Sequence, residues 1–404
     1  MSSPPPPIIA PALKRLDGVD LLRGLAIFFV LMNHVNMRLI LAHVPYAAHI
    51  PHQLNFLFWD GQRGVQIFFA ISGFLITSTT LRRWHSLSQV SLRGFYLMRF
   101  ARIVPLLVLL LATLTALQLA YLHDFVVSPK TGGLPRALFA ALTFHINVLE
   151  ARRGYLPGNW DILWSLSIEE MFYLFFPVLA RLFGRTKFFI ILLLTFVVLG
   201  PFARTTWSHG NETWQEYSYL GGMDAIALGC LTALLLARHH FSRRTPRTML
   251  TLGTLLLTFT MCFPQLAAPL KLAATGLDMT LIAIATCLII AAVATTNWKA
   301  PHALSPLRNL GQRSYEIYLT HMFAVFALFN LFVIVGKPLP AVFPLFVIVI
   351  VTSALLGEAV ARFFSEPLNR AIRLRWSGHS AQTADNTSPQ SVFENQGVFR
   401  KNEE

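Results

Sequence analysis

Long apolar runs, separated by short stretches that carry the charges, prolines and most turn residues, repeat along almost the whole chain. Runs long enough to cross about 30 Å of hydrocarbon lie at 19–42, 60–82, 95–121, 161–183, 187–204, 219–237, 247–264, 276–295, 312–335 and 341–366. The pattern predicts an all-α fold, a polytopic membrane helix bundle of about ten transmembrane helices. A further apolar stretch, Leu134 to Leu149, is shorter and is bracketed by Gly132-Gly133-Leu134-Pro135 and by Arg152-Arg153. It reads as an interfacial or re-entrant helix. Three regions follow: a Pro-rich tail over 1–15, the membrane domain over 16–376, and a polar tail over 377–404 whose Ser, Thr, Asn and Gln content predicts disorder.

The distribution of basic residues gives the orientation. It alternates cleanly only if the Leu134–Leu149 stretch does not span. One side then carries the larger set, from Lys14 and Arg15 through Arg82, Arg83, Arg93, Arg99 and Arg102 to Arg370, Arg373 and Arg375. The other carries Arg38, Arg63, Lys130, Arg136, Arg152, Arg153, Arg204, Lys271 and Lys337. Both termini are therefore expected in the cytoplasm, and the location is the inner membrane.

Composition agrees, with 54% hydrophobic and 13% charged residues against roughly 25% charged in an average soluble domain. The formal charge of +14 does not point to nucleic acid, because the cations flank spans where they set topology and meet anionic lipid. Cys230, Cys262 and Cys287 all fall inside spans without paired or metal-ligand spacing, so they read as small packing residues and no metal is expected. No cleavable signal peptide and no fixed-period repeat is visible.

Ionisable side chains inside the spans carry the candidate chemistry. An intramembrane charge costs about 2.5 to 3.5 kcal/mol on insertion scales and points to function by default. Arg23 and His34 share the first span. Eleven helical steps make roughly 1100°, so the two lie near one face about 16 Å apart along the axis. Arg99 and Arg102, at i and i+3 on span three, offer planar guanidinium forks suited to phosphate. A plain inner-leaflet charge cluster is the competing reading. Span four carries Glu169 and Glu170, with Ser165 and Ser167 a turn before them, at a depth that matches His34. A carboxylate at that depth would orient the His34 imidazole as a general base, unless both carboxylates simply pair with arginines. Gln66, Asp224, Ser314, Tyr315, Tyr318 and His321 complete the buried polar candidates. A satisfied core histidine is the commoner meaning of a residue such as His321. Trp59, Trp160, Trp207, Asn211, Glu212, Trp214 and Tyr217 on the outer side are suited to stacking on sugar rings, although Trp and Tyr are also ordinary interface residues. No Walker loop, nucleophile elbow, His-Glu-Xaa-Xaa-His or dinucleotide fingerprint is present.

Several of these motifs, taken in order, resemble the acyltransferase-3 family of membrane O-acyltransferases. They are Leu16-Asp17-Gly18 leading to Arg23 and His34, Gly64-Val65-Gln66-Ile67-Phe68-Phe69 with Ser72-Gly73-Phe74, and Arg99-Xaa-Xaa-Arg102. Trp164-Ser165-Leu166-Ser167-Ile168-Glu169-Glu170 and Ser314-Tyr315 with Tyr318 and His321 follow, and the resemblance runs to Ser365-Glu366-Pro367. It implies transfer of an acyl group, acetyl in the first instance, from cytoplasmic acyl-coenzyme A to a carbohydrate hydroxyl at or beyond the outer face. It also implies Arg23 and His34 as one motif, Arg99 and Arg102 as a second, and Ser167 with Glu170, beside Glu169, as a third. Two departures stand out. Gln66 replaces an acidic residue that many members carry, and the hydrolase-like C-terminal domain of many relatives has no counterpart in the polar tail, so the acceptor is acylated either directly or through a separate extracytoplasmic partner.

The residues fit this scheme. Arg23, Arg99 and Arg102 would hold the coenzyme A phosphates, and His34 would deprotonate the acceptor, oriented by Glu169 or Glu170. Two alternatives share the same residues. One is a ping-pong route through an acyl-enzyme on Ser165, Ser167 or His34, and the other is a proton-coupled transporter, which the adjacent inner arginines and the lack of inverted repeats disfavour.

Overall fold

The computed structural model describes residues 15–51, 54–239, 241–242, 244–263, 268–296 and 298–385. Lys14 and most of the N-terminal tail lie outside them. The chain forms α1 (Asp17–Leu41), α2 (Gly61–Trp84), α3 (Leu92–Leu119), the short α4 (Gly133–Leu142) and α5 (Ile146–Arg153), α6 (Leu163–Phe183) and α7 (Lys187–Arg204). It continues through α8 (Tyr219–Arg238), α9 (Thr245–Cys262), α10 (Leu277–Thr296), the short α11 (Ser305–Gln312), α12 (Ser314–Ile334), α13 (Val342–Val360) and α14 (Glu366–Asp385). A π turn over Ala361–Ser365 joins the last two. No strand occurs among the described residues.

Local chemistry explains the ends of these helices. Asp17 and Asp20 occupy the first turn of α1, where the helix dipole favours carboxylates. The Ser91 and Ser218 hydroxyls cap α3 and α8 by accepting from the Gly94 and Gly221 amides. The Leu134–Leu149 stretch breaks into α4 and α5 at Phe144, whose φ of 56° cannot continue a helix.

Nine helical stretches among the described residues are long and apolar enough to cross a membrane. The tenth expected span, 247–264, exists as α9, but Thr245, Thr248, Thr251, Thr254, Thr258 and Thr260 with Arg247 make it less apolar than the rest. It lies along α10, with Gly253 against the Ala285 carbonyl and Ile289. Helix α14 runs nine residues past 376, to Asp385. Residues 386–404 lie outside the described ones.

Small residues set a close helix crossing between α2 and α8. A Cβ on Gly73 would come 1.9 Å from the Ile226 carbonyl oxygen, and one on Gly229 would come 2.0 Å from that of Ala70. Close backbone approach of this kind is how membrane helices associate without a hydrophobic driving force. Gly229→Ala is therefore expected to destabilise the protein by about 1–3 kcal/mol through overpacking, read as a lower midpoint in thermal unfolding in detergent.

Candidate active site

A cavity of about 250 Å³ sits among α1, α2, α3, α6, α12 and α14. Along α2 its lining runs from Val65 to Trp84, nineteen residues or about 28 Å of helix. At the basic end are Trp84, Met98, Arg99, Arg102 and Arg373, and toward the other face are Val65, Ser165 and Tyr318. Arg23, Arg99, Arg102 and Arg373 bring four guanidinium groups to this wall against two carboxylates, Glu169 and Glu170. Arg23 feels Arg102, Asp20, Glu316 and Glu169. Glu169 in turn faces Arg99, Arg102 and Arg23. The span-four carboxylates thus meet the arginines, and an excess of cations over lining carboxylates remains.

Ring contacts and hydrogen bonds hold the lining in place. The Arg99 guanidinium lies 4.0 Å over the Tyr173 ring, and the Tyr173 and Ser72 hydroxyls bond to each other. Tyr315 donates to the Ile103 carbonyl at 3.1 Å. Tyr318 donates to the Ile162 carbonyl at 3.0 Å, and its oxygen lies 2.7 Å from the Ser165 hydroxyl. Two lining groups keep buried polar atoms without a hydrogen bond, Glu170 Oε1 and Ser314 Oγ. Unsatisfied buried polar atoms facing a cavity are costly unless a ligand or water meets them.

His34 does not pair with a span-four carboxylate, contrary to expectation. The carboxylates are turned to the arginines, and the partner of His34 is His321. His321 Nε2 lies 3.2 Å from His34 Nδ1, with ring centroids 4.9 Å apart. His34 Nδ1 is also 2.9 Å from the Val30 carbonyl, and His321 Nδ1 is 2.7 Å from that of Tyr318. The pair abuts the cavity through Tyr318, whose ring is 5.9 Å from that of His321.

Other candidates are placed elsewhere. Ser167 is 1% exposed and donates to the Leu163 carbonyl at 3.0 Å, so its hydroxyl serves its own helix. Ser165, one face round, is the serine that lines the cavity. Gln66 and Asp224 come together with Arg204 and Thr280: Asp224 accepts from Gln66 at 3.0 Å, Arg204 at 2.8 Å and Thr280 at 2.7 Å. This cluster ties α2, α7, α8 and α10 and does not line the cavity. Arg204 read from sequence only as an outer-face charge; its partner, 20 residues away in the chain, gave no local signal. Of the aromatic residues expected on the outer side, Trp160 is fully buried, and Tyr217 stacks on Trp164 at 4.2 Å, so neither ring face is open to a sugar. Asn211 caps the turn at Trp214 and donates to the Ala151 carbonyl. Trp59 and Trp207 remain exposed. Outside the spans, Glu150 is buried and its carboxyl is pushed above the usual range by loss of solvent and the nearby Asp161 charge. Arg373 was not singled out by sequence reasoning, because its helix is polar and its approach to Arg99 and Arg102 comes only from packing of α14 on α3.

No group of three or more His, Cys, Asp or Glu able to hold a metal ion occurs among the described residues.

Fold and site together define a multi-pass helical membrane protein with an arginine-lined internal cavity that approaches a hydrogen-bonded histidine pair. The chain belongs to the acyltransferase domain family, which matches residues 16–358. It is similar to the O-acetyltransferase OatA of Staphylococcus aureus (strain NCTC 8325 / PS 47), with 23% identity over 371 residues, 88% of this chain and 58% of that protein. It is also similar to a putative O-acetyltransferase of Staphylococcus aureus (strain COL), with 25% identity over 377 residues, 89% of this chain and 58% of that one. The chain thus spans less than two thirds of the length of these curated relatives. No solved structure matches.

Proposed function

We propose that this protein is an integral membrane O-acyltransferase that moves an acyl group, acetyl in the first instance, from cytoplasmic acyl-coenzyme A to a hydroxyl of a cell-surface or lipid-linked carbohydrate. The observation that carries this reading is the cavity itself: four guanidinium groups at one wall, and a channel of mixed lining that leads to Ser165 and Tyr318 beside the histidines. Coenzyme A is an anionic carrier with a long neutral arm. Arg99, Arg102 and Arg373 suit its phosphates at the basic end, and the apolar walls around Phe68, Phe69 and Leu166 suit the arm. The unpartnered Glu170 Oε1 and Ser314 Oγ are placed to meet its polar atoms.

The chemistry is a single displacement. The acceptor oxygen attacks the thioester carbonyl; its O–H bond breaks, a C–O bond forms and the C–S bond breaks. His34 Nε2 takes the hydroxyl proton and returns it to the departing thiolate. An acyl-enzyme on Ser165 is the competing route, but the Ser165 hydroxyl has Tyr318 and a carbonyl as neighbours rather than a base. The relatives are O-acetyltransferases by name, and the exposed Trp59 and Trp207 are suited to stacking on a sugar ring of the acceptor.

Calorimetry of acetyl-coenzyme A binding to purified protein, at two salt concentrations, tests the donor. Wild type is expected to bind saturably and more weakly at higher salt, since part of the attraction is screened. Arg99→Ala/Arg102→Ala is expected to bind about tenfold or more weakly, as charge-assisted hydrogen bonds contribute about 1.5–3 kcal/mol each. Wild type that does not bind acyl-coenzyme A would remove the donor and bring a proton-coupled transporter to the front.

A further inference from the structure

We infer that His321 is the positioning residue for His34: as a neutral ring it accepts the His34 Nδ1–H at its Nε2, the task a carboxylate performs in the familiar acid-base pairs. The inference rests on the reading of His34 as the base.

The hydrogen-bond partners assign the protons. A carbonyl oxygen only accepts, so a ring nitrogen facing one must carry hydrogen. His321 Nδ1 faces the carbonyls of Tyr318 at 2.7 Å and Ile317 at 3.2 Å. It is therefore the N–H, and in the neutral ring Nε2 is bare. His34 Nδ1 faces the Val30 carbonyl at 2.9 Å, so it too carries hydrogen, and that hydrogen is shared with the bare His321 Nε2 at 3.2 Å. One direction of donation runs through the whole chain: His34 Nδ1–H to His321 Nε2, and His321 Nδ1–H to the Tyr318 carbonyl. Reversing either tautomer would aim a lone pair at a carbonyl oxygen.

Two consequences follow. His34 Nε2 is left with its lone pair and makes no hydrogen bond among the described residues, which is the state a general base needs before it acts. After it takes the proton, the ring is cationic and its Nδ1–H becomes a stronger donor toward His321. A second protonation, on His321 Nε2, would point N–H at N–H across 3.2 Å, so His321 holds the proton in place on His34 rather than carrying it away. The residue also completes the spatial link, since Tyr318, which lines the cavity, lies one turn before it on α12. Neither Glu169 nor Glu170 makes a hydrogen bond to His34 among the described residues, and both lie within the field of the wall's arginines.

The test compares His321→Leu, which keeps volume and removes the acceptor, with His321→Gln, whose amide oxygen can occupy the place of Nε2. In acetyl transfer from acetyl-coenzyme A, His321→Leu is expected to lower kcat by about 30- to 100-fold with the donor KM unchanged, while His321→Gln stays within about fivefold of wild type, in line with the value of general-base positioning. Nitrogen-15 spectra of histidine-labelled protein, with the His34 signals assigned by difference from His34→Ala, supply a readout independent of turnover. Wild type and His321→Gln should show His34 protonated at Nδ1, and His321→Leu should show a mixture of tautomers. Equal kcat in His321→Leu and wild type, or a His34 signal protonated at Nε2 in wild type, would overturn the inference. Wild type that transfers no acyl group while His34 still shows the Nδ1 tautomer would instead count against the proposed function and leave the hydrogen-bonded pair standing. If His321→Leu does not fold, His321→Asn, whose shorter amide cannot reach His34, takes its place against His321→Gln with the same expected contrast.

Discussion

His34→Ala is expected to lower acyl transfer by about 10²- to 10⁴-fold, the usual worth of a positioned general base, while the protein still binds acetyl-coenzyme A as wild type does. The separation of the two effects comes from the geometry. The guanidinium wall proposed for the donor is formed by Arg23, Arg99, Arg102 and Arg373, and His34 is not part of it. His34 is half-buried on α1, bonded to Val30 and His321. Removing the ring leaves those neighbours to be met by water and does not alter the charge of the wall. Transfer assays with saturating donor, beside calorimetry of the same preparations, check the prediction. Transfer at near wild-type rate in His34→Ala would remove His34 from the chemistry, whatever the donor affinity.

Asp224→Ala is expected to destabilise the protein by about 3–5 kcal/mol, the cost of breaking a buried ion pair by deleting one partner. Asp224 is fully buried, and the Arg204 side chain that bonds it at 2.8 Å is 9% exposed. Without the carboxylate, the guanidinium keeps the Gly221 and Gly276 carbonyls and Thr280 but loses its only close anion among the described residues. Gln66→Ala, which removes one neutral donor to the same carboxylate, should cost less, about 1.5–3 kcal/mol. Thermal unfolding in detergent or in bilayer discs orders the two variants against wild type. Donor affinity measured well below the midpoint should be unchanged in both, because neither residue lines the cavity. A fall in donor affinity in fully folded Asp224→Ala would connect this cluster to the site.

The contrast between these two variants shows how buried polar residues in one membrane protein divide by task. Gln66, Asp224, Arg204 and Thr280 bond to one another, with the Gly221 and Gly276 carbonyls also accepting from Arg204, and so tie four helices. Glu170 and Ser314 keep polar atoms that the protein itself does not satisfy, and both face the cavity. Burial alone does not separate the two groups; what separates them is whether the partner is supplied from within the chain.

Much of the fold was legible along the chain. The alternation of apolar runs with basic loops reports where helices cross, because hydrocarbon tolerates only internally bonded backbone and an apolar run must match its thickness. The span over 187–204 matches α7 end for end. The weakest of the expected spans, 247–264, is the one whose threonines dilute the signal. Arg99 and Arg102 could be placed on one face from spacing alone, since three residues make nearly a full turn, and both line the cavity. Arg23 and His34 could likewise be assigned to one stripe of α1.

Which residues meet across helices was not legible. Depth along a span can be counted in residues, and by depth His34 and the carboxylates of α6 were matched. Depth leaves free the rotation of each helix about its axis, and one step of 100° moves a side chain to a different neighbour. Packing settled that rotation. It turned Glu169 and Glu170 to the arginines, gave His34 to His321, exchanged Ser167 for Ser165 at the cavity, and carried Arg373 from a polar C-terminal helix to the wall formed by α3. Hydrophobic periodicity records the solvent each residue faces, a property of one helix at a time; the partner it faces depends on crossings fixed by contacts such as Gly73 with Ile226, which are set only when two distant segments are packed together.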